Sequence, residues 1–183
     1  MAAGWTWATG RAHCKPRNGS TTRHQETHVR TATPADVPQI LRFVRELAIY
    51  EKAEHEVVTT EATVESSIFG LDSAVHVLIC ERGGEAIGFA VYFYNYSTWL
   101  AKNGLFLEDL DVTPAARGSG AGKALLKHLA QVAVAKGCGR FEWNVLDWNE
   151  PAIRFYESLG AKPQSEWIGY RLTGQALLDL AES

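Results

Sequence analysis

A glycine-rich loop in the second half of the chain has the residue types of a phosphate-binding site. Residues 106–112 have the pattern of a strand, residues 113–119 that of a loop, and a helix follows from about Gly120. Three glycines lie within positions 118–122 and leave the backbone N–H groups unshielded where the helix begins. Because free amides and the helix dipole together bind phosphate oxygens, we expect a pyrophosphate-bearing ligand here.

The spacing of the loop distinguishes three phosphate-binding motifs. A P-loop needs glycine at position 117 and serine or threonine at position 124, where the chain has Arg117 and Ala124. A dinucleotide-binding fingerprint started at position 118 needs its third glycine where Lys123 stands, and a start two residues later fails likewise. The order Arg117-x-x-Gly120-x-Gly122 instead fits the pattern Gln/Arg-x-x-Gly-x-Gly/Ala. Taken alone, this short pattern also fits an ordinary glycine-rich start of a helix.

The same pattern resembles the signature of the GNAT acetyltransferases, whose loop amides hold the pyrophosphate of coenzyme A. The resemblance runs from Val29 to nearly the C-terminus and is closest to the spermidine/spermine group of diamine acetyltransferases. The other matching segments are residues 29–33 with Asp36, 46–51, 88–90, 107–109, 117–118 and 148–151, and Phe155 with Tyr156. The implied cosubstrate is acetyl-CoA. The positions that the resemblance assigns to its binding are Leu110, Asp111, Val112, Arg117, Gly118, Ser119, Gly120, Ala121, Gly122, Lys123, Asn149 and Tyr156.

Glu108 has the chemistry of a catalytic base. An alkylammonium with a pKa near 10.4 must lose a proton before its nitrogen can attack a thioester, and at neutral pH only roughly one molecule in a thousand is neutral. Glu108 lies in an otherwise apolar strand, so we expect partial burial to raise its pKa. In the diamine acetyltransferases the matching glutamate contacts the amine and is proposed to take its proton; a surface carboxylate is the alternative. Strand alternation predicts that Asp109 and Asp111 point to the opposite face, unless a bulge intervenes.

Tyr156 is the candidate proton donor to the departing coenzyme A thiolate, because a phenol remains protonated at neutral pH. The family uses a tyrosine in the helix after its penultimate core strand, and Tyr156 is the matching position. Ala152, Phe155 and Leu159 extend an apolar stripe through it, so a tyrosine that only packs in the core is the alternative. Asn149 is similar to a family asparagine that contacts the pantetheine arm or the diphosphate side of the cofactor.

Acidic residues near the end of the first predicted helix suit a cationic acceptor. The acceptor-binding positions that the resemblance implies are Tyr50, Glu51, Glu108 and Asp109. Glu54 and Glu56 add negative charge nearby, although a solvated acidic helix end would have the same composition. In the polyamine enzymes an acidic residue near the last strands contacts the distal amine, but this chain has Ile168 there. That departure favours a shorter amine, such as a thialysine-like lysine analogue, over long polyamines.

The elements that must position these residues alternate between strand and helix signals, which indicates an α/β (α+β) domain. Strands are predicted at residues 29–31, 75–80, 86–94, 105–112 and 140–145, and helices from residue 34 and at residues 60–69, 120–136 and 150–159. Gly83-Gly84 predicts a hairpin turn between the second and third strands. The resemblance implies a GNAT acyl-CoA N-acyltransferase fold: a mixed, mostly antiparallel twisted sheet flanked by helices, splayed between residues 105–112 and 140–145, where acetyl-CoA inserts.

The composition fits one domain. The chain has 183 residues, 46% of them hydrophobic, which is enough for a sizeable core. We predict that residues 28–183 form the N-acetyltransferase domain and that residues 1–27, which lack a strand or helix period, are a disordered extension. Charges or glycines interrupt every apolar run, so we expect a soluble protein without a membrane partner.

The charge is distributed unevenly along the chain. Residues 1–27 contain four basic residues and one acidic residue, whereas the remainder contains 14 basic and 20 acidic residues. The net negative charge of residues 28–183 disfavours binding of nucleic acid and suits a cationic ligand. Cys14, Cys80 and Cys138 lack the spacing of a zinc or redox motif, and the histidines lack metal-ligand spacing. We therefore expect reduced thiols, a cytoplasmic location and no metal.

Three functions are compatible with these features. The first is acetyl transfer to a primary amine of a small cationic acceptor: a diamine, a polyamine or a lysine analogue. The second is acetylation of a protein N-terminus or lysine, which needs an open groove and is disfavoured by the acidic residues 51–56. The third is a non-catalytic module that senses acyl-CoA, which the presence of both Glu108 and Tyr156 argues against. By resemblance alone, a homodimer is expected.

Overall fold

A five-stranded sheet lies at the centre of the structure, a computed structural model that describes residues 26–183. The strands lie side by side in chain order: β1 (Thr27–Thr31), β2 (His76–Arg82), β3 (Glu85–Ser97), β4 (Lys102–Val112) and β5 (Arg140–Trp143). The first four pair antiparallel, and β5 runs parallel to β4. The prediction of a mixed, mostly antiparallel sheet is confirmed.

Helices cover both faces of this sheet. They are α1 (Val37–Glu51), α2 (Glu61–Phe69), α3 (Ala121–Ala135), α4 (Glu150–Ser158) and α5 (Gly174–Glu182). On one face, α1 and α2 bury Phe43 and Val64 against Phe89 of β3, and the rings of Phe43 and Phe89 stack 5.2 Å apart. On the other face, α3 buries Leu125 against Leu105 of β4. Apolar residues at three- and four-residue spacing thus form the stripe by which each helix packs on the sheet.

Local signals place the ends of several elements where the sequence predicts them. Thr60 caps α2 by accepting a hydrogen bond from the backbone N–H of Thr63 at 3.3 Å. Gly83 and Gly84 adopt φ angles of 62° and 82° in the turn between β2 and β3, which confirms the hairpin. Gly120 is the residue immediately before α3. The predictions for α1 to α4 are therefore confirmed to within a few residues, whereas α5 was not predicted.

Strands β4 and β5 pair over four residues and then separate. The paired register begins at Gly104 with Arg140 and ends at Leu107 with Trp143. β4 continues to Val112 with its other edge still paired to β3. Within residues 26–183, no strand flanks residues 108–112 on the free edge. The predicted splay is confirmed, and it exposes unpaired backbone groups along the second half of β4.

A β-bulge lies at Glu108, immediately after the point of separation. Leu107 pairs with Tyr92 of β3, but the next pair joins Asp109 to Val91, so Glu108 is an extra residue in β4. An inserted residue shifts the face alternation of every residue that follows it. The side chains after the bulge therefore do not follow the alternation expected for an unbroken strand.

The bulge decides which way the acidic side chains of β4 point. Asp109 and Asp111 pair with Val91 and Phe89, which pack on the α1 side of the sheet. Leu110, between them, packs on the α3 side. The prediction that Asp109 and Asp111 face away from Glu108 allowed for a bulge, and this bulge is the exception: Glu108, Asp109 and Asp111 all line the same cavity.

The C-terminal part of the chain differs from the expected pattern. The resemblance placed Ile168 near the last strands, but residues 161–173 contain no strand, and α5 follows them. Large apolar side chains here are exposed, among them Trp167, Ile168 and Tyr170 and, in α5, Leu177 and Leu180.

The predicted disordered extension, residues 1–27, lies outside the described residues except for its last two, and Thr27 already belongs to β1. Among residues 26–183, no helix combines the length and apolar composition needed to cross a bilayer.

Candidate active site

The opening between β4 and the segment after β5 contains a cavity of about 340 Å³. The second half of β4 forms one wall, residues 144–146 form another, and the C-terminal turn of α1 and the first turns of α4 complete it. The predicted site residues that line it are Tyr50, Glu51, Glu108, Asp109, Leu110, Asp111, Val112, Arg117, Asn149 and Tyr156. One cavity therefore holds the predicted base, the predicted acid and the acidic acceptor residues.

The glycine loop leads from β4 into α3 with its backbone amides open. Gly118 and Gly120 adopt φ angles of 75° and 89°, and a Cβ at either position would meet no atom within 4 Å. The first helical hydrogen bond runs from the N–H of Ala124 to the carbonyl of Gly120 at 2.9 Å. The amides of residues 121–123 precede it, so they are available to a ligand. The Ser119 amide, by contrast, already donates to the carbonyl of Ala116 at 3.3 Å.

Arg117, the first residue of the loop signature, is held by two hydrogen bonds. Its Nε donates to the carbonyl of Val112 at 2.9 Å, and its Nη2 donates to Oδ1 of Asp111 at 3.2 Å. The guanidinium lies over the ring of Tyr50, 4.6 Å from the ring centroid. These contacts fix the guanidinium at the junction of β4, the loop and α1.

Asp109 is a half-buried carboxyl on the cavity wall. Burial raises the pKa of Asp109 to about 6, and the nearby charges of Glu108 and Glu51 add to the shift. Glu108 itself is exposed. The expectation that Glu108 is partly buried is therefore wrong: Glu108 is the extra residue of the bulge and stays exposed, whereas Asp109 is half-buried.

Tyr156 projects from α4 into the same cavity. Its ring lies 5.0 Å from Trp143 and 5.6 Å from Phe155, measured between centroids. Burial raises the pKa of Tyr156, and Tyr50 adds to the shift. Its hydroxyl makes no hydrogen bond to the part of the chain that the structure describes. A phenol that stays protonated and has a free hydroxyl can act as a proton donor.

Tyr50 and Asn149 contact each other across the cavity. The Tyr50 hydroxyl donates to Oδ1 of Asn149 at 3.0 Å, and the same oxygen accepts from the N–H of Ala152 in the first turn of α4 at 3.4 Å. Asn149 is thus the N-cap of α4. Sequence reasoning assigned these residues to different ligands and missed their bond, because nothing in a 99-residue separation indicates it.

The remaining candidates lie outside the cavity. Glu54 and Glu56 form a short exposed 3-10 helix after α1 and do not line it. Ile168 is exposed and does not line it either. No cluster of three possible metal ligands occurs within residues 26–183. The acidic character of the site therefore comes from β4 and Glu51.

An unpaired strand edge beside open helix amides can hold a long thioester, with its phosphates at the amides and its acyl end towards the acidic residues. This arrangement defines an acyl-CoA N-acyltransferase. The chain belongs to the Acetyltransferase (GNAT) family, whose model matches residues 42–161. It is an acetyl-CoA-dependent N-acetyltransferase.

Relatives and solved structures agree with this membership. The chain is 37% identical to the thialysine N-epsilon-acetyltransferase of Mus musculus over 85% of this chain and 97% of the relative. It is 32% identical to an L-ornithine N5-acetyltransferase of Arabidopsis thaliana over 88% and 91% of the two chains. An integron cassette protein from the mobile metagenome of V. cholerae is 28% identical, with a TM-score of 0.73 over 86% of this chain and 98% of that one.

A side chain added at Gly120 should weaken acetyl-CoA binding. We choose Gly120→Asn because asparagine tolerates a positive φ better than other residues, so the change mainly fills the open space above the amides. The acetyl-CoA KM should rise roughly tenfold or more, as expected when a charge-assisted hydrogen bond is lost, with kcat less affected. Steady-state kinetics with varied acetyl-CoA measure this.

Gly160→Asn is the matched control for that experiment. Gly160 has a φ of 90°, and a Cβ there would also meet no atom within 4 Å, but it lies after α4 and does not line the cavity. Its acetyl-CoA KM should stay at the parent value. Equal KM values for both folded variants would place the cofactor phosphates away from the loop.

Proposed function

We propose that the enzyme acetylates a primary amine of a small cationic acceptor: a diamine, a polyamine or a lysine analogue such as thialysine. The observation that carries this proposal is the set of carboxyl groups on the cavity wall, Glu51, Glu108 and Asp109. An alkylammonium entering such a cavity is attracted by charge and meets a group that can take its proton. Relatives named for thialysine and ornithine as acceptors support this class of substrate.

In this proposal Asp109 removes the acceptor proton, and Glu108 assists it. With a pKa of about 6, Asp109 is ionised at neutral pH yet basic enough to accept a proton. Glu108 was predicted as the base, and here it raises the basicity of Asp109 through its charge. Its exposed carboxylate also binds the ammonium. Glu108 thus attracts the ammonium, and Asp109 takes its proton.

The rest of the cavity orients the cosubstrate and serves the leaving group. Acetyl-CoA supplies the acetyl thioester. The amides of residues 121–123 and the guanidinium of Arg117 bind its diphosphate, and the unpaired edge of Leu110 to Val112 offers backbone hydrogen bonds to its amide-bearing arm. The Tyr156 hydroxyl donates a proton to the departing coenzyme A thiolate. No metal enters this proposal.

A turnover screen tests the function. Acetyl-CoA is offered with diamines, polyamines, thialysine, ornithine, lysine and peptides with free N-termini, and release of free thiol is measured. Turnover of one small diamine or amino-acid amine well above that of the peptides supports the proposal. Preference for peptides would instead indicate acetylation of a protein N-terminus or lysine. Binding of acetyl-CoA without turnover of any amine would indicate a non-catalytic module that senses acyl-CoA.

We also propose a homodimer in the cytoplasm. Seven large apolar side chains of residues 167–172 and α5 are exposed, and a second copy of the chain would cover them. Cys80 and Cys138 are free thiols, as expected in a reducing compartment.

Light scattering should therefore give a mass of twice the 20.2 kDa chain. Trp167→Glu and Leu180→Glu each place a charge on the apolar surface and should shift the mass to that of one chain. Leu71→Glu, at an exposed leucine after α2, is the control and should leave the dimer intact. A parent protein with the mass of one chain would contradict the proposal.

A further inference from the structure

Four side chains from separate parts of the fold form a continuous series of contacts along the cavity wall. Asp111 lies in β4, and Arg117 begins the glycine loop. Tyr50 lies in the last turn of α1, and Asn149 caps α4. Successive members contact each other through the Asp111 to Arg117 ion pair, the Arg117 guanidinium over the Tyr50 ring, and the Tyr50 hydroxyl to Asn149 hydrogen bond. We call these four residues the bridge.

Asp111 is the member of the bridge that the fold alone does not require. Its residue is only 4% exposed, and it lies opposite Phe89 in a part of the sheet where an apolar side chain would pack. Its Oδ2 is buried without a hydrogen-bond partner among residues 26–183. A buried carboxylate satisfied on one oxygen is costly. Among residues 26–183, its one side-chain partner is Arg117.

Arg117 is oriented by the bridge and still has donors to offer. Nε and Nη2 bond to Val112 and Asp111, whereas Nη1 bonds to nothing in the described part of the chain. The Tyr50 ring supports the guanidinium plane. A guanidinium fixed in advance loses less conformational freedom when it binds a phosphate than a free side chain does.

The other end of the bridge reaches the proton donor. Asn149 caps α4 through the N–H of Ala152, and Tyr156 lies one turn further along the same helix. Tyr50 therefore connects the site of the arginine with the position of the catalytic tyrosine.

We propose that Asp111 and Tyr50 are positioning residues: Asp111 holds Arg117 in the orientation that binds the cofactor diphosphate, and Tyr50 couples that site through Asn149 to Tyr156. The inference rests on the proposed roles of the loop and of Tyr156. It changes the predicted role of Tyr50 from acceptor binding to alignment of the two halves of the cavity. It also gives the Asp111 side chain a role in addition to the contact of its backbone with the cofactor.

Two thioesters separate the two functions of the bridge. Acetyl-CoA contains the diphosphate, and acetyl-pantetheine lacks it. If Asp111 acts through Arg117 on phosphate, Asp111→Asn should reduce the preference for acetyl-CoA over acetyl-pantetheine, as a ratio of kcat/KM, by roughly tenfold or more. The loss of turnover with acetyl-pantetheine should be smaller than that with acetyl-CoA. Arg117→Lys keeps the charge but loses the two-point hold, so it should reduce the same ratio.

Tyr50→Phe should have the opposite signature. It keeps the ring under Arg117 and removes only the hydroxyl, so the preference ratio should stay at the parent value. Loss of the bond to Asn149 should lower kcat by roughly threefold to tenfold with both thioesters alike, because the position of α4 is affected in both reactions.

Asp36→Asn is the matched control, because it breaks another Asp–Arg ion pair, with Arg30, far from the cavity. It should leave the preference ratio and kcat unchanged even if it lowers the melting temperature. An unchanged ratio in Asp111→Asn would overturn the role of Asp111, an unchanged ratio in Arg117→Lys would overturn that of Arg117, and an unchanged kcat in Tyr50→Phe would overturn the coupling. A parent enzyme that does not prefer acetyl-CoA would instead contradict the proposed phosphate site itself.

Discussion

The Asp109→Asn enzyme should lose roughly 10² to 10⁴ of its kcat/KM at pH 7, the range expected when a general base is removed. Asparagine has nearly the size of aspartate but cannot accept a proton from an ammonium. The loss should shrink as the pH rises from 7 to 10, because more of the acceptor is already neutral in solution. Kinetics with varied amine at saturating acetyl-CoA measure both effects.

The pH profile of the parent enzyme tests the same assignment. A base must be unprotonated to act, so kcat/KM should fall with decreasing pH through about 6, the pKa to which burial and the charges of Glu108 and Glu51 raise Asp109. Glu108→Gln removes one of those negative charges. The pKa of Asp109 should then be lower, and the acidic limb of the profile should move to lower pH.

Glu108→Gln also separates attraction from proton transfer. If Glu108 only attracts the cation and tunes Asp109, the variant should raise the amine KM, and added salt should weaken the attraction in the parent. If Glu108 is itself the base, Glu108→Gln should show the large loss of kcat/KM and Asp109→Asn should show a smaller one. Asp72→Asn, at an exposed aspartate outside the cavity, should match the parent throughout. Parent-like profiles for both cavity variants would remove the acceptor-site assignment.

The Tyr156→Phe enzyme should have a kcat lower by roughly 10²-fold or more, because the departing thiolate no longer receives a proton. The hydroxyl has no partner in the described part of the chain, so stability should change little. Kinetics with acetyl-CoA and a thermal unfolding curve measure the two quantities.

A change of leaving group makes this prediction specific. An acetyl thioester of an aromatic thiol releases a more stable thiolate and needs less help from an acid. The defect of Tyr156→Phe should therefore shrink with that substrate, whereas a defect of packing would persist. Tyr170→Phe, at an exposed tyrosine, is the control and should behave as the parent. Parent-like turnover of acetyl-CoA by Tyr156→Phe would return Tyr156 to a role in the core.

Much of the architecture could be predicted because it depends on local signals. Apolar spacing identified α1 to α4, Gly83-Gly84 identified the hairpin, and the loop glycines identified the start of α3. The C-terminal region was predicted less well. The resemblance placed Ile168 near the last strands, but residues 161–173 contain no strand. Its many exposed apolar residues show that local composition does not decide what this segment packs against.

By itself, the sequence predicted the family, the glycine loop and most of the residues that line the cavity, because each is encoded in neighbouring residue types. Only the tertiary structure decided how the acidic residues share their roles. The bulge at Glu108 arises from the register between β3 and β4, and it places Asp109 inside and Glu108 outside. Burial and neighbouring charges then raise the pKa of Asp109. The bridge from Asp111 to Asn149 joins distant segments, so no local pattern could reveal it.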